Sequence, residues 1–197
     1  NWLFMPSIDE INQEEIGFIN SHHFKELFNL SSGVWISRGS GQESLISLRS
    51  PVLTGSGACG SFQILEDGIP IRPAGFCNVN NLFEVSGNLA SEIEVVKGPS
   101  SSMFGGNALH GVINIKTLKT EGDNKFILET DKNESLRSTI FLRMFSNKII
   151  ALDLDRDKGF RDQSGFDQQK LVFKNFSQSK DWSFNCLLYT SDAADDW

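Results

Sequence analysis

Residues 93–117 read IEVVKGPSSSMFGGNALHGVINIKT, and the order of residue types in this stretch decides the architecture around it. Ile93 to Lys97 is rich in β-branched residues and reads as a strand. Gly98-Pro99 stops it, because proline brings no amide hydrogen to a ladder. Val112 to Thr117 reads as a second strand of the same kind. Between them, small residues and Gly105, Gly106 and Gly111 compress the connection into a compact turn region. The second strand closes a unit that ends near Thr120.

Upstream, SHHFKELFNL at 21–30 places Phe24, Leu27 and Phe28 at helical spacing behind Ser21, which can cap the first turn. The adjacent His22 and His23 point about 100° apart on such a helix, a poor geometry for a metal, and read as exposed polar residues. Val34 to Ser37 is a brief strand candidate. Ser44 to Arg49 alternates Leu45, Ser47 and Arg49 against Ser44, Ile46 and Leu48, until Pro51 and the stretch TGSGACG break the pattern. Phe62 to Glu66 runs into Asp67-Gly68, the strongest short hairpin signal, and Ile69-Pro70-Ile71 returns on the far side. Leu82, Phe83 and Leu89 suggest helical or coiled packing. The prediction is an α+β unit at 14–120 with a mixed sheet of about four strands and short helices, preceded by a lead-in at 1–13.

After Thr120 the rhythm changes to strands of about ten residues separated by short polar turns. Leu136 to Phe145 sets Ile140, Leu142 and Met144 on one face and Thr139 and Arg143 on the other. Lys148 to Asp155 repeats this, with Ile150, Leu152 and Leu154 opposed to Ala151, Asp153 and Asp155, and Ser146-Asn147 is the turn between the two. Leu171 to Phe176 is less regular, whereas Trp182 and Phe184 alternate with Ser183 and Asn185. About five antiparallel strands are predicted over 121–185. An apolar outer face with a polar lumen fits this alternation, as in a transmembrane barrel; a water-soluble sheet with one wet face fits it as well.

Bulk properties exclude several classes. The chain has 197 residues and a formal charge of −7, and its basic residues form no run, which argues against nucleic-acid binding. No apolar run approaches the ~18 residues of a spanning helix, so a membrane role would use strands. Asp153, Asp155 and Asp157 mimic the start of a calcium loop, but Lys158 stands at its glycine position and Ser164 at its closing glutamate position. Gly-rich segments lack the Gly-Lys-Ser/Thr ending of a phosphate loop, and no Gly-x-Ser-x-Gly elbow is present. No catalytic nucleophile, intrinsic cofactor or metal site is therefore expected.

The run at 93–117 resembles the plug of TonB-dependent outer-membrane receptors: a strand ending in Glu94-Val95 and a basic residue, Gly98-Pro99, small residues, the aromatic-Gly pair at 104–105, Ala108-Leu109, and Gly111-Val-Ile-Asn114-Ile. Ser32-Gly33-Val34, Leu48-Arg49 and the Asp67-Gly68-Ile69-Pro70 turn precede it in the order such plugs show. The resemblance implies a plug closing the lumen of a barrel of ~22 strands, facing the periplasm in the outer membrane of a Gram-negative bacterium. It implies TonB as the energising partner, a TonB box upstream, and uptake of a scarce ligand such as an iron-siderophore or cobalamin, which would be a transported metal chelate. Two departures stand out: Arg49-Ser50-Pro51 replaces the family's Arg-Gly, and Lys97 stands where arginine is common. The resemblance implies that Arg49 and Lys97 latch the plug to acidic residues of the barrel wall. Lysine offers one charge without the bidentate fork.

In the periplasm that the resemblance implies, Cys59 and Cys77 would form a disulfide stapling two apical loops, worth about 3 kcal/mol by loop-closure entropy; free thiols are the alternative. The ligand-facing apex is expected around Val52 to Gly60 and Ile71 to Asn81. Residues 186–197, CLLYTSDAADDW, resemble the translation of a sequencing-library adapter and are set aside from the fold. A free-standing plug-like periplasmic binding module is the alternative function, and a soluble hydrolase ranks behind both.

Overall fold

The computed structural model describes residues 7–38, 42, 44–49, 61–73, 81–85, 87–117, 123–132, 135–144, 147–159, 164–176 and 183–193. The chain divides into two compact units, Asn1–Leu118 and Lys119–Trp197.

The first unit begins with strand β1, Ser7–Asn12, followed at once by helix α1, Gln13–Ile19. Asn12 is the hinge between them. Its side chain accepts from the amides of Glu14 and Glu15, and Glu15 reaches back to the Asn12 amide, a complete capping box. An edge strand at Ser7–Asn12 and a helix start at Gln13 thus lie where the sequence suggested neither. Helix α2, Phe24–Phe28, turns Phe24, Leu27 and Phe28 into the core as their spacing predicts. Its cap is His23 rather than Ser21, because the His23 Nδ1 accepts the Lys25 amide at 3.0 Å. That role buries His23 to 2% exposure, against the expectation of a solvated side chain.

Strands β2, Val34–Arg38, and β3, Ser44–Leu48, form an antiparallel pair. Strand β4, Phe62–Glu66, turns through Asp67-Gly68 into the two-residue strand β5, Ile69–Pro70. Both turn residues have positive φ, 51° and 81°, the conformation a two-residue type I′ hairpin requires and Asp-Gly tolerates. A 3-10 turn at Asn81–Glu84 leads to β6, Ala90–Lys97, the short helix α3, Ser101–Phe104, and β7, Gly111–Thr117. The main sheet has five strands in the order β1-β6-β7-β4-β5, one more than predicted because β1 adds to its edge. It is mixed: β4 and β7 run parallel, β6 is antiparallel to both its neighbours.

Alternation gives this sheet two faces. Ile11, Ile64, Ile93, Val95, Ile113 and Ile115 form the main core with α1, α2 and the β2-β3 pair. On the other face Leu65, Val96, Ala108 and Val112 make a smaller cluster with Phe104.

The second unit is one antiparallel sheet of β8, Lys125–Thr130; β9, Leu136–Met144; β10, Lys148–Asp157; β11, Phe166–Phe176; and β12, Ser183–Ala193, in sequence order. This is the predicted number. The β11–β12 ladder continues to the Phe166–Ala193 pair, so the segment set aside at 186–197 supplies most of β12. Ser146 and Trp182 lie outside the described residues. One face buries the polar Arg137, Thr139, Asp153, Gln168 and Lys170 beside Phe141, Ile149, Ala151 and Val172, whereas the other exposes Leu136, Leu142, Met144, Leu171 and Leu188, against the polarity of a sheet with one wet face.

Candidate functional site

The basic residue that ends β6 is the centre of the first unit's polar chemistry. Lys97 is 2% exposed, and an ammonium so buried needs compensating partners. It ion-pairs with Asp9 on β1 and donates to the Ser32 carbonyl oxygen at 3.0 Å and the Ser32 hydroxyl at 3.3 Å. Asp9 also accepts from the Ser31 hydroxyl at 2.8 Å. The Lys97 hydrogen bond, with smaller help from Ser31 and the charge of Arg49, holds the Asp9 carboxyl below the ordinary aspartate range against the opposing effect of burial. Lys97 thus has an acidic partner on this unit's own first strand.

Arg49 sits exposed just past β3, at φ 47°. Its amide donates to the Gly33 carbonyl oxygen at 2.9 Å, and its side chain lies across Gly33, where a Cβ would stand 3.2 Å from Arg49 Cγ. Arg49 and Lys97 thus both act on Asp9, one through space and one by contact. The sequence signals named the two cations; Asp9 and Ser31 carried no local signal, since Asp9 is 88 positions from Lys97.

The opposite sheet face carries a second network. Asp67 accepts from the Thr117 amide at 2.9 Å and from its hydroxyl at 2.7 Å. Gly68 donates its amide to Asn114 Oδ1 at 3.0 Å, and Asn114 Nδ2 donates to Glu94 at 2.9 Å. Lys116 ion-pairs with Glu94, and with Glu92 at 2.7 Å. Partial burial works against the Lys116 charge, and the two carboxylates outweigh it, so its pKa lies above the ordinary lysine value. Glu10, Glu92 and Glu94 each offer a carboxylate oxygen within 4.8 Å of the others. Gly68, Asn114 and Glu94, three motif residues of the sequence, are thus joined, while Asp67 holds Thr117; Glu10, Glu92 and Lys116 were missed.

The return between β6 and β7 closes on itself. Gly98 donates to the His110 carbonyl oxygen and Ser100 to that of Ala108, both at 2.9 Å, which extends the ladder into the loop; Pro99 between them has no hydrogen to give. Gly105 ends α3 by donating to the Ser101 carbonyl oxygen at 2.9 Å, and Gly111 opens β7. Cys59 and Cys77 lie outside the described residues, as does most of the expected apex.

In the second unit the polar face pairs internally. Thr139 donates to Asp153 at 2.7 Å, and Arg137 lies 3.3 Å from Glu129 and 3.6 Å from Asp155. Asp153 and Asp155 are engaged in cross-strand pairs with Thr139 and Arg137, while Asp157 accepts from the Gly159 amide at 2.7 Å. Across the other face, Phe126, Ile140, Leu152, Leu171 and Leu188 stand in one cross-strand row.

This geometry has counterparts among solved receptors. The chain is similar to the ferric citrate transporter FecA in its unliganded form, at 20% identity and a TM-score of 0.68, over 95% of this chain and 31% of that one. It is similar to the siderophore receptor PirA from Pseudomonas aeruginosa, at 18% and 0.63, over 95% of this chain and 36% of that one. For the ferric yersiniabactin uptake receptor FyuA from Yersinia pestis the values are 18% and 0.61, over 87% and 28%. The chain spans about a third of these receptors' length, and at such identities the likeness concerns the fold. The family pattern described as TonB-dependent Receptor Plug Domain matches residues 5–112, more than half of the chain and nearly all of the first unit. With its five-stranded mixed sheet and the β6-to-β7 return that the motif encodes, the chain belongs to the TonB-dependent receptor plug family.

Proposed function

We propose that this chain is the gate and the first wall strands of an outer-membrane importer: residues 7–117 plug the lumen, and strands β8 to β12 begin the barrel. The observation that carries the reading is the inverted polarity of the second sheet. Leu136, Leu142, Met144, Leu171 and Leu188 face outward while Arg137, Asp153 and Lys170 are buried. Water would favour the opposite arrangement; a hydrocarbon exterior and a polar lumen favour this one. No helix among the described residues is long and apolar enough to cross a membrane, so strands would make the crossing. Five strands leave open edges, and pairing with further strands would remove them.

In this reading a scarce ligand, an iron-siderophore or cobalamin, binds above the plug, and periplasmic TonB supplies the work that moves the plug aside. The plug's part is to hold a polar domain in a wide pore and yield on demand. Internal pairs such as Lys97 with Asp9 keep it folded in the lumen, and its chemistry is binding rather than turnover. A disulfide between Cys59 and Cys77 belongs to the same proposal.

Planar-bilayer conductance of the full-length protein is the test. Deletion of residues 7–117 should convert a closed channel into one of large, steady conductance. In parallel, a nitroxide lipid should quench a fluorophore attached through Leu152→Cys and leave one attached through Asp153→Cys bright. Equal conductance with and without the plug, or equal quenching at the two positions, would overturn the proposal.

A further inference from the structure

Strand β1 is fastened on one face and pushed on the other. It sits at the sheet edge and pairs with β6 alone, in the register Ser7 with Lys97 through Asn12 with Glu92. On the core face Ile11 is 2% exposed and packs in the main cluster. Two residues earlier on the same face, Asp9 closes on Lys97 and accepts from Ser31. The other face differs. Glu10 stands directly across from Glu94, and like charges so placed weaken a strand pair. The carboxylates of Glu10, Glu92 and Glu94 converge within 4.8 Å, and Lys116 ion-pairs with Glu92 and Glu94. The ammonium thus pairs with two of the three converging carboxylates, and the surplus is the one β1 brings: among the described residues Glu10 has no ion-pair partner.

The strand also ends at a ready hinge. Asn12 caps α1 through a complete capping box, and α1 buries Ile16 in the core. Removing β1 from β6 therefore need not disturb α1, while β6 keeps its ladder to β7 on its other side.

We propose that β1 is a releasable clasp: Ser7–Asn12 leaves β6 as one unit, pivoting at Asn12, with Asp9 holding it and Glu10 loosening it. Its departure opens the outer edge of β6 and uncovers the Lys97 ammonium. The inference stands whether or not the first unit gates a pore.

Hydrogen exchange of the 197-residue chain at neutral pH and low salt, read on peptides covering 7–12, 90–97 and 111–117, tests it. Amides of β1 should exchange at least ten-fold faster than those of β7, through an opening that spares β7. Glu10→Gln removes the surplus charge and should slow β1 exchange about two- to five-fold, the effect of one like-charge cross-strand pair, with β7 unchanged. High salt should shrink that difference by screening. Asp9→Asn should speed β1 exchange about ten-fold or more. If Asp9→Asn instead unfolds the whole unit, Glu10→Gln still decides. Common exchange of β1 and β7 in the parent chain, or unchanged or faster β1 exchange in Glu10→Gln, overturns the clasp.

Discussion

Replacing Gly111 with alanine tests how tightly the motif return is drawn into the sheet. Gly111 opens β7 and pairs with Lys97 on one side and Phe62 on the other, so its backbone is fixed by two neighbouring strands. It has φ 151°, and a Cβ there would stand 2.2 Å from the Val96 carbonyl oxygen and 2.5 Å from Leu48 Cδ2. The first neighbour is backbone within a paired strand and the second a fully buried side chain, so neither yields freely. Backbone strain of about 1–3 kcal/mol and an overpacking cost of about 1–3 kcal/mol sum to a loss of about 2–6 kcal/mol. At about 1.4 kcal/mol per decade, that is about a thirty- to twenty-thousand-fold rise in the opening equilibrium. Hydrogen exchange on peptides covering 90–117 reads the first unit alone, which a global melt of a two-unit chain would not. Gly106→Ala is the control, since a Cβ there meets nothing within 4 Å, and it should stay within about 1 kcal/mol of the parent. Gly111→Ala protection within a factor of three of the parent would refute the overlap.

Asp9 should make the first unit acid-sensitive. Its folded pKa is depressed by Lys97, so its contribution is present above the unfolded value of about 3.9 and is lost as pH falls through the lower folded value. The stability gap between the parent and Asp9→Asn, followed by β6 exchange protection, should accordingly be full near neutrality and close as acid is added; a gap that widens in acid would contradict this. Asp67→Ala should cost about 1–3 kcal/mol by leaving the Thr117 amide and hydroxyl without their acceptor. Asp67→Asn should cost less, since asparagine also tolerates φ 51° and can still accept, a difference visible as Thr117 exchange. Leu152→Arg should weaken folding of the full-length protein in bilayers by up to about 2–4 kcal/mol, and no loss in a urea titration would argue against a lipid-facing position.

Much of this architecture was legible because its signals are local. Alternation over Leu136 to Met144 and Lys148 to Asp157 requires only that successive side chains point to opposite faces, and the observed burial follows it. Asp67-Gly68 predicted the hairpin because both residues accept positive φ without a partner's help. The Gly98-Pro99 and Gly111 punctuation marked where β6 ends and β7 begins for equally local reasons. His23 was misjudged, since its spacing on a helix says nothing about Ser44 lying 3.3 Å from its Nε2.

The linear order of residues thus specified the strands, turns and family motif, together with which side chains share a face. It left open that Ser7–Asn12 would join the sheet, that Lys97 would find its counter-charge in Asp9, and that Glu10 would meet Glu92 and Glu94. Each of these depends on two segments about eighty residues apart being laid side by side in one register. A one-residue slip of β1 would exchange the faces of Asp9 and Glu10, leaving different carboxylates near Lys97 and Glu94. Periodicity reports which residues can share a surface, but strand order and register select the ones that meet. These are set by burying Ile11 against Ile93 and by the free energy of the whole sheet rather than by any stretch of the chain read alone.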